Sequence, residues 1–182
     1  CENLKAIGYH YDGGFAEYMV VPADAVRNGC VNRVPENLSF EEAAIAEPLA
    51  CVINGQNLSR VEQGDTVLVI GAGPIGCFHA EFALNTGAGK VILADVSEQR
   101  LKMAEFTGAM LVDTSKKDIK QVISDMTDGR MADRVIVAVG LAQPQELALE
   151  LVAKRGSVNY FGGLPKDNPY IKFNSNIVHY GE

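Results

Sequence analysis

One stretch of thirty residues, Thr66 to Asp95 (TVLVIGAGPIGCFHAEFALNTGAGKVILAD), limits what this chain can fold into more than any other. Val67 to Ile70 form a short apolar run rich in β-branched residues, as expected of a strand buried on both faces. Gly71, Gly73 and Gly76 follow directly, spaced as G-x-G-x-x-G. A helical stretch from Pro74 to about Thr86 comes next, closed by Gly87 and Gly89, and a second apolar run, Val91 to Ala94, ends on Asp95.

Each part of that order has a physical reason. Gly71 permits a tight turn out of the strand, Gly73 lets backbone N–H groups approach a pyrophosphate, and Gly76 lets the helix pack close to the sheet. Pro74 suits a first helical turn, where its missing N–H costs nothing, and Ile75 continues that turn. The partly positive helix N-terminus then faces the phosphates. Asp95, 19 residues beyond Gly76, is placed to accept hydrogen bonds from ribose hydroxyls. An ordinary buried βαβ unit with a tight turn is the plainer alternative, but strand, glycines, helix, strand and acid stand in the order that NAD binding requires. A membrane span fails, because His79 and Glu81 interrupt the apolar stretch before about 18 apolar residues accumulate.

At 182 residues, 47% of them apolar, the chain has material for one full core and a smaller appendage. A net charge of −7 argues against a nucleic-acid or anionic-membrane surface. The chain begins with Cys1 rather than Met and shows no targeting signal, which suits a piece of a longer protein. Its four cysteines, Cys1, Cys30, Cys51 and Cys77, include no C-x-x-C pair, so neither a disulfide framework nor a self-sufficient zinc site is expected. Reduced thiols, with Cys77 buried behind Gly76, point to the cytoplasm.

The first 46 or so residues read as β and turn material. Strands are predicted at Phe15 to Val21, stopped by Pro22, and at Val26 to Val34, ended by Pro35. Ser39 and Glu42 form a capping box, opening a helix that runs through Ala46 towards Pro48, and a further helix is predicted from Leu49 to Leu58. After Asp95 the alternation continues. Ser97 caps a helix from Glu98 to about Phe106, and Met110 to Val112 is a third strand. Asp118 to Met126 is a helix, and Arg134 to Val139 a fourth strand ending at Gly140. Gln143 to Val152 is a helix with Gly156 past its end. Ser157 to Phe161 is a fifth strand, followed by Gly162 and Gly163, and Asn174 to Tyr180 reads as a last helix. Right-handed crossovers make this an α/β fold, a doubly wound parallel sheet of order 3-2-1-4-5 without its sixth strand. A cofactor would lie across the carboxyl ends of strands one and four.

Several stretches together resemble the zinc-dependent medium-chain alcohol dehydrogenases, in particular their sorbitol (polyol) and threonine dehydrogenase branch. They are Asp12 to Tyr18 (DGGFAEY), Val21-Pro22, Glu47-Pro48-Leu49, Gly64-Asp65, Gly71 to Gly76, Gly87-Ala88, Asp95 with Arg100, Gly108-Ala109, and Phe161-Gly162-Gly163. The resemblance implies a Rossmann domain beside a GroES-like catalytic domain, with NAD and a catalytic zinc in the cleft between. Residues 1–47 would be the end of the catalytic domain and 48–182 the NAD-binding domain. It further implies that Ile75 passes the nicotinamide-side phosphates and ribose, and that Arg100 contacts the adenosine ribose. Val139 and Gly140 would lie at the ligand edge, and the Phe161 to Gly163 turn would meet the nicotinamide carboxamide. Glu47 resembles the carboxylate beside the catalytic zinc, and Cys1 the last cysteine of the structural zinc loop.

The departures bear on zinc. The family's upstream cysteine and Gly-His-Glu are absent, as are three of the four structural cysteines, and Cys1 alone cannot bind a metal that wants four ligands. Cys51, four residues after Glu47, is expected to be buried rather than liganding, and His10, His79 and His179 show no paired spacing. The implied reaction is zinc-assisted oxidation of a small alcohol by NAD in a homo-oligomeric parent, a dimer or tetramer. A methyltransferase shares the glycine turn and the strand-two acid, though not Pro-Ile-Gly or Glu47-Pro48. A Rossmann module that binds cofactor without chemistry stays open for the isolated chain.

Overall fold

Alternate residues of Val67, Leu68 and Val69 point to opposite sides of their strand, and all three are fully buried. Both faces are therefore covered. Val67 and Val69 join Ala80, Ala83, Val91, Leu93 and Leu101 in one apolar layer. Leu68 joins Ile92, Val135, Val137, Ile123 and Leu151 in the other. This double burial explains the run of β-branched residues that the sequence shows there.

The computed structural model describes residues 4–181 and divides into two compact units, Cys1–Ala44 and Ile45–Glu182. The second unit contains five parallel strands: β1 (Thr66–Ile70), β2 (Lys90–Asp95), β3 (Met110–Asp113), β4 (Ala132–Val137) and β5 (Val152–Tyr160). Their order is β3-β2-β1-β4-β5, as expected from the alternation of strand and helix. Among the described residues six α-helices belong to this unit: α3 (Ala46–Ser59), α4 (Pro74–Asn85), α5 (Glu98–Met103), α6 (Ile119–Met126), α7 (Ala142–Leu151) and α8 (Ser175–Gly181). No helix among the described residues is long and apolar enough to cross a membrane.

Among the described residues the first unit contains α1 (Ala23–Arg27), α2 (Phe40–Ala44) and one isolated bridge, Ile7 to Tyr11. The two strands predicted at Phe15–Val21 and Val26–Val34 are not formed. A strand requires a partner for its backbone groups, and no described segment of this unit runs alongside either one. Aromatic and β-branched content alone does not supply that partner. The capping box does form: Glu42 Oε2 accepts from the Ser39 N–H at 2.8 Å, and the Glu42 N–H donates to Ser39 Oγ at 3.2 Å.

Other boundaries also move. α2 ends at Ala44 and α3 begins at Ala46, so Pro48 sits in the first turn of α3, where its ring breaks no hydrogen bond. The predicted helix ending at Phe106 stops at Met103 and tightens into a 3-10 turn, Glu105–Thr107. β4 starts and ends two residues early, the Ala138 N–H making one last bond to Ile70 O at 2.8 Å before the chain turns away. β5 starts at Val152, directly after α7, where the sequence suggests a helix end and a glycine stop. The register shifts between Ala132 and Arg134, Arg155 has a φ of 63°, and a Cβ on Gly156 would come within 2.7 Å of Asp133 O. Gly156 therefore serves a bulge in the strand, not a helix cap.

Candidate dinucleotide site at the carboxyl edge of the sheet

β1 ends in Gly71, whose φ of 109° only glycine adopts readily. Its N–H donates to Ala94 O at 2.7 Å, and the chain then reverses into α4. A Cβ on Gly76 would lie 1.7 Å from Gly71 O, so this glycine allows the first turn of α4 to press against the strand end. Gly73 differs. Its φ of −78° and ψ of −179° suit any residue, and a Cβ there would meet nothing within 4 Å. Its bare backbone thus borders open space. Pro74 is the first helical residue, and the N–H groups of half-buried Ile75 and buried Gly76 lie in the first turn, where no intrahelical acceptor exists. The site therefore presents free amides at the positive end of a twelve-residue helix.

Asp95, buried at the end of β2, organises the neighbouring edge. Its Oδ2 accepts from the Ala72 N–H and its Oδ1 from the Ser97 N–H, both at 2.8 Å. The carboxylate thus ties the glycine turn to the start of α5, whose cap is Ser97, its Oγ accepting from the Arg100 N–H at 3.3 Å. Arg100 Nη1 lies 3.8 Å from Asp95 Oδ2 on a largely exposed side chain. A carboxylate offers about four acceptor positions, so two bonds leave capacity for a sugar hydroxyl. Two cavities meet at Asp95 and Arg100. One, of about 330 Å³, is bounded by Ile70, Val139, Thr114, Lys117 and Pro144. The other, of about 890 Å³, is bounded by Gly73, Phe78 and Met103.

On the far side of β1, the ends of β4 and β5 are locked together. The Gly162 N–H donates to Val137 O at 2.9 Å, and Gln145 Nε2 donates to Gly162 O at 2.7 Å. A Cβ on Gly140 would lie 2.4 Å from Gly163 O, and one on Gly162 would lie 2.5 Å from the Val139 carbonyl. Phe161 packs inward against the apolar layer, leaving the Gly162–Gly163 backbone at the edge. The structure therefore gathers Gly71 to Gly76, Asp95, Arg100, Val139, Gly140 and Phe161 to Gly163 along one edge of the sheet.

Glu47 is exposed in the first turn of α3. Cys51 is exposed too, contrary to expectation. The buried stripe of α3 is Val52, Gly55, Gln56 and Ser59, which turns Glu47 and Cys51 outward. Cys51 Sγ donates to Glu47 Oε1 at 3.4 Å, and this bond holds the thiol pKa above its usual value. Cys1 lies outside the described residues. Among the described residues no three His, Cys, Asp or Glu side chains converge as a metal requires. The donors present do not fit zinc.

Three features escape sequence reading. Thr114 and Lys117 follow β3 on the ligand edge, a position that the strand order could have flagged. Gln145 gives no local signal for its bond to Gly162. His79 and Gln56 meet across 23 residues of chain, which no motif encodes.

A sequence model described as zinc-binding dehydrogenase matches residues 74–181. The sorbitol dehydrogenase of Halalkalibacterium halodurans is 33% identical over 177 residues, 96% of this chain and 49% of the relative. A structure described as a zinc-binding dehydrogenase of Sinorhizobium meliloti 1021, bound to NADP, superposes with a TM-score of 0.88 at 33% identity. It covers 100% of this chain and 52% of the other. A short chain alcohol dehydrogenase of Escherichia coli CFT073, complexed with NADH, gives a TM-score of 0.85 at 26% identity, covering 100% and 51%. The chain spans about half the length of the curated relatives it matches. The family match takes in more than half of the residues, including all of α4, β2 and the strands beyond, and on that ground this chain belongs to the zinc-binding dehydrogenase family.

Proposed function

We propose that this chain is the nicotinamide-dinucleotide-binding part of an NAD-dependent dehydrogenase. The observation that carries the reading is the pairing of Gly73, bare toward open space, with the buried Asp95 carboxylate that grips the same turn. Pyrophosphate would lie on the first-turn amides of α4, with the adenosine ribose at Asp95 and Arg100. The nicotinamide half would cross Val139–Gly140 towards Phe161–Gly163. The buried acid favours NAD, since a 2′-phosphate would bring like charge against it. Arg100 and the NADP-bound relative argue for the phosphate, but Arg100 is exposed while the carboxylate is buried at the turn.

The whole protein would transfer hydride between a secondary alcohol, such as a polyol or sugar alcohol, and the cofactor. The polyol and alcohol dehydrogenases among its relatives support that substrate class. Zinc would belong to the whole protein, with Glu47 beside it and Cys1 in the structural loop. Residues 1–47 would close the catalytic domain and 48–182 form the cofactor domain, in a cytoplasmic homo-oligomer. The 182-residue chain by itself is a binder without turnover. Calorimetric titration should give saturable NAD binding near one equivalent, and adding zinc and a polyol should yield no NADH. Absence of binding to either dinucleotide would sink the proposal.

A further inference from the structure

The adenosine ribose end at β2 and the pyrophosphate turn at β1 leave the second half of a dinucleotide only one direction along the sheet edge, over β4 and β5. There the Phe161–Gly163 turn presents backbone rather than side chains. Its own geometry must then be held from behind. We propose, resting on the cofactor-binding reading above, that His79 is a positioning residue that sets this turn through Phe161, and so tunes the grip on the nicotinamide half.

His79 is fully buried in α4. Its ring centroid lies 4.6 Å from that of Phe161, with the ring planes at 85°, an edge-to-face contact. Gln56 fixes the imidazole from α3. Its Nε2 donates to His79 O at 2.7 Å and lies 3.3 Å from His79 Nδ1. The reversed amide would set oxygen against that carbonyl, so Nε2 is the donor, Nδ1 accepts, and the ring proton sits on His79 Nε2. Burial alone pushes the His79 pKa down to about 4, which keeps the ring neutral.

The Phe161 ring is also flattened onto α3 at Gly55, where a Cβ would come 3.0 Å from Cδ2. Phe161 is thus seated between Gly55 of α3 and His79 of α4, while Gly162 is tied by Val137 O and Gln145. His79 Nε2 and Gln56 Oε1 have no partner in this seat among the described residues. A leucine would fill a packing position without orphaning a polar atom. The imidazole that stands there instead holds Phe161 in an oriented edge-to-face contact.

The test measures dissociation constants of the 182-residue chain for NADH and for ADP-ribose, which shares everything except the nicotinamide. His79→Leu should weaken NADH roughly 3- to 10-fold, the range of an aromatic edge contact, and leave ADP-ribose within about 2-fold of the original chain. Phe161→Leu should do the same, and the double variant should lose no more than either single one. If His79→Leu does not fold, His79→Gln, which keeps a polar group near Gln56 but removes the aromatic ring, must show the same selective loss. Equal weakening of both ligands, or of neither, overturns the proposal. NADH binding no tighter than ADP-ribose to the unaltered chain overturns it while sparing the cofactor reading. Failure to bind ADP-ribose overturns both.

Discussion

Gly76→Ala should damage the fold, while Gly73→Val should damage only the site. At Gly76 the added carbon would sit 1.7 Å from Gly71 O, whereas real Cβ contacts essentially never fall below 3.0 Å. The start of α4 must therefore retreat from β1 by more than about 1 Å, and a backbone carbonyl cannot swing aside as a side chain would. Overpacking of this kind costs typically about 1–3 kcal/mol, and a rigid partner places Gly76→Ala near the top of that range. Alanine returns at most about 1 kcal/mol in helix propensity. The net loss is about 2 kcal/mol, or a fall in Tm of roughly 4–8 °C for a chain of this size. Gly73→Val adds its carbon to open space with φ at −78°, so only the poorer helix cap is felt, at most about 1 kcal/mol. Its branched side chain instead occupies the approach to the first-turn amides and should abolish NAD binding. Thermal unfolding followed by circular dichroism, with calorimetric titration of each variant, separates the two effects. A Gly76→Ala chain that melts with the original, or a Gly73→Val chain that keeps its NAD affinity, would refute the reasoning.

Asp95→Ser should weaken NAD by roughly 10- to 150-fold, the size of a charge-assisted bond of about 1.5–3 kcal/mol, and bring the NAD and NADP dissociation constants together. It should also lower stability, since the Ala72 and Ser97 N–H groups both lose their acceptor; tighter NADP than NAD binding by the unaltered chain would contradict the role given to the acid. His79, with its pKa lowered to about 4 by burial, stays neutral in the fold while the unfolded chain protonates near 6.5. Its contribution is complete above about pH 6.5 and declines by about 1.4 kcal/mol per unit as pH falls, losing about 3 kcal/mol by pH 4. Urea unfolding at several pH values should show that slope diminished in His79→Leu. Removing the Cys51 proton acceptor, as in Glu47→Ala, should lower the thiol pKa, and the pH dependence of its alkylation rate measures this directly.

The order of strands and helices from Thr66 onward was legible in the sequence because its signals are local. Double burial demands the apolar runs at Val67–Ile70 and Val91–Ala94, and right-handed crossovers together with the glycine fingerprint point to the 3-2-1-4-5 order. The glycine turn and Asp95 were legible for the same reason, since their spacing is set by the length of α4. What tertiary structure decided depends on partners distant in the chain. Phe15–Val21 has the residues of a strand but no neighbour to pair with among the described residues, and Val152 reads as a helix end yet pairs with Ala132 of β4. The outward turn of Cys51 follows from which face of α3 is buried against α4 and β5. The seat of Phe161 joins residues 55, 56, 79 and 161, which only the packing of two helices against the last strand brings within contact.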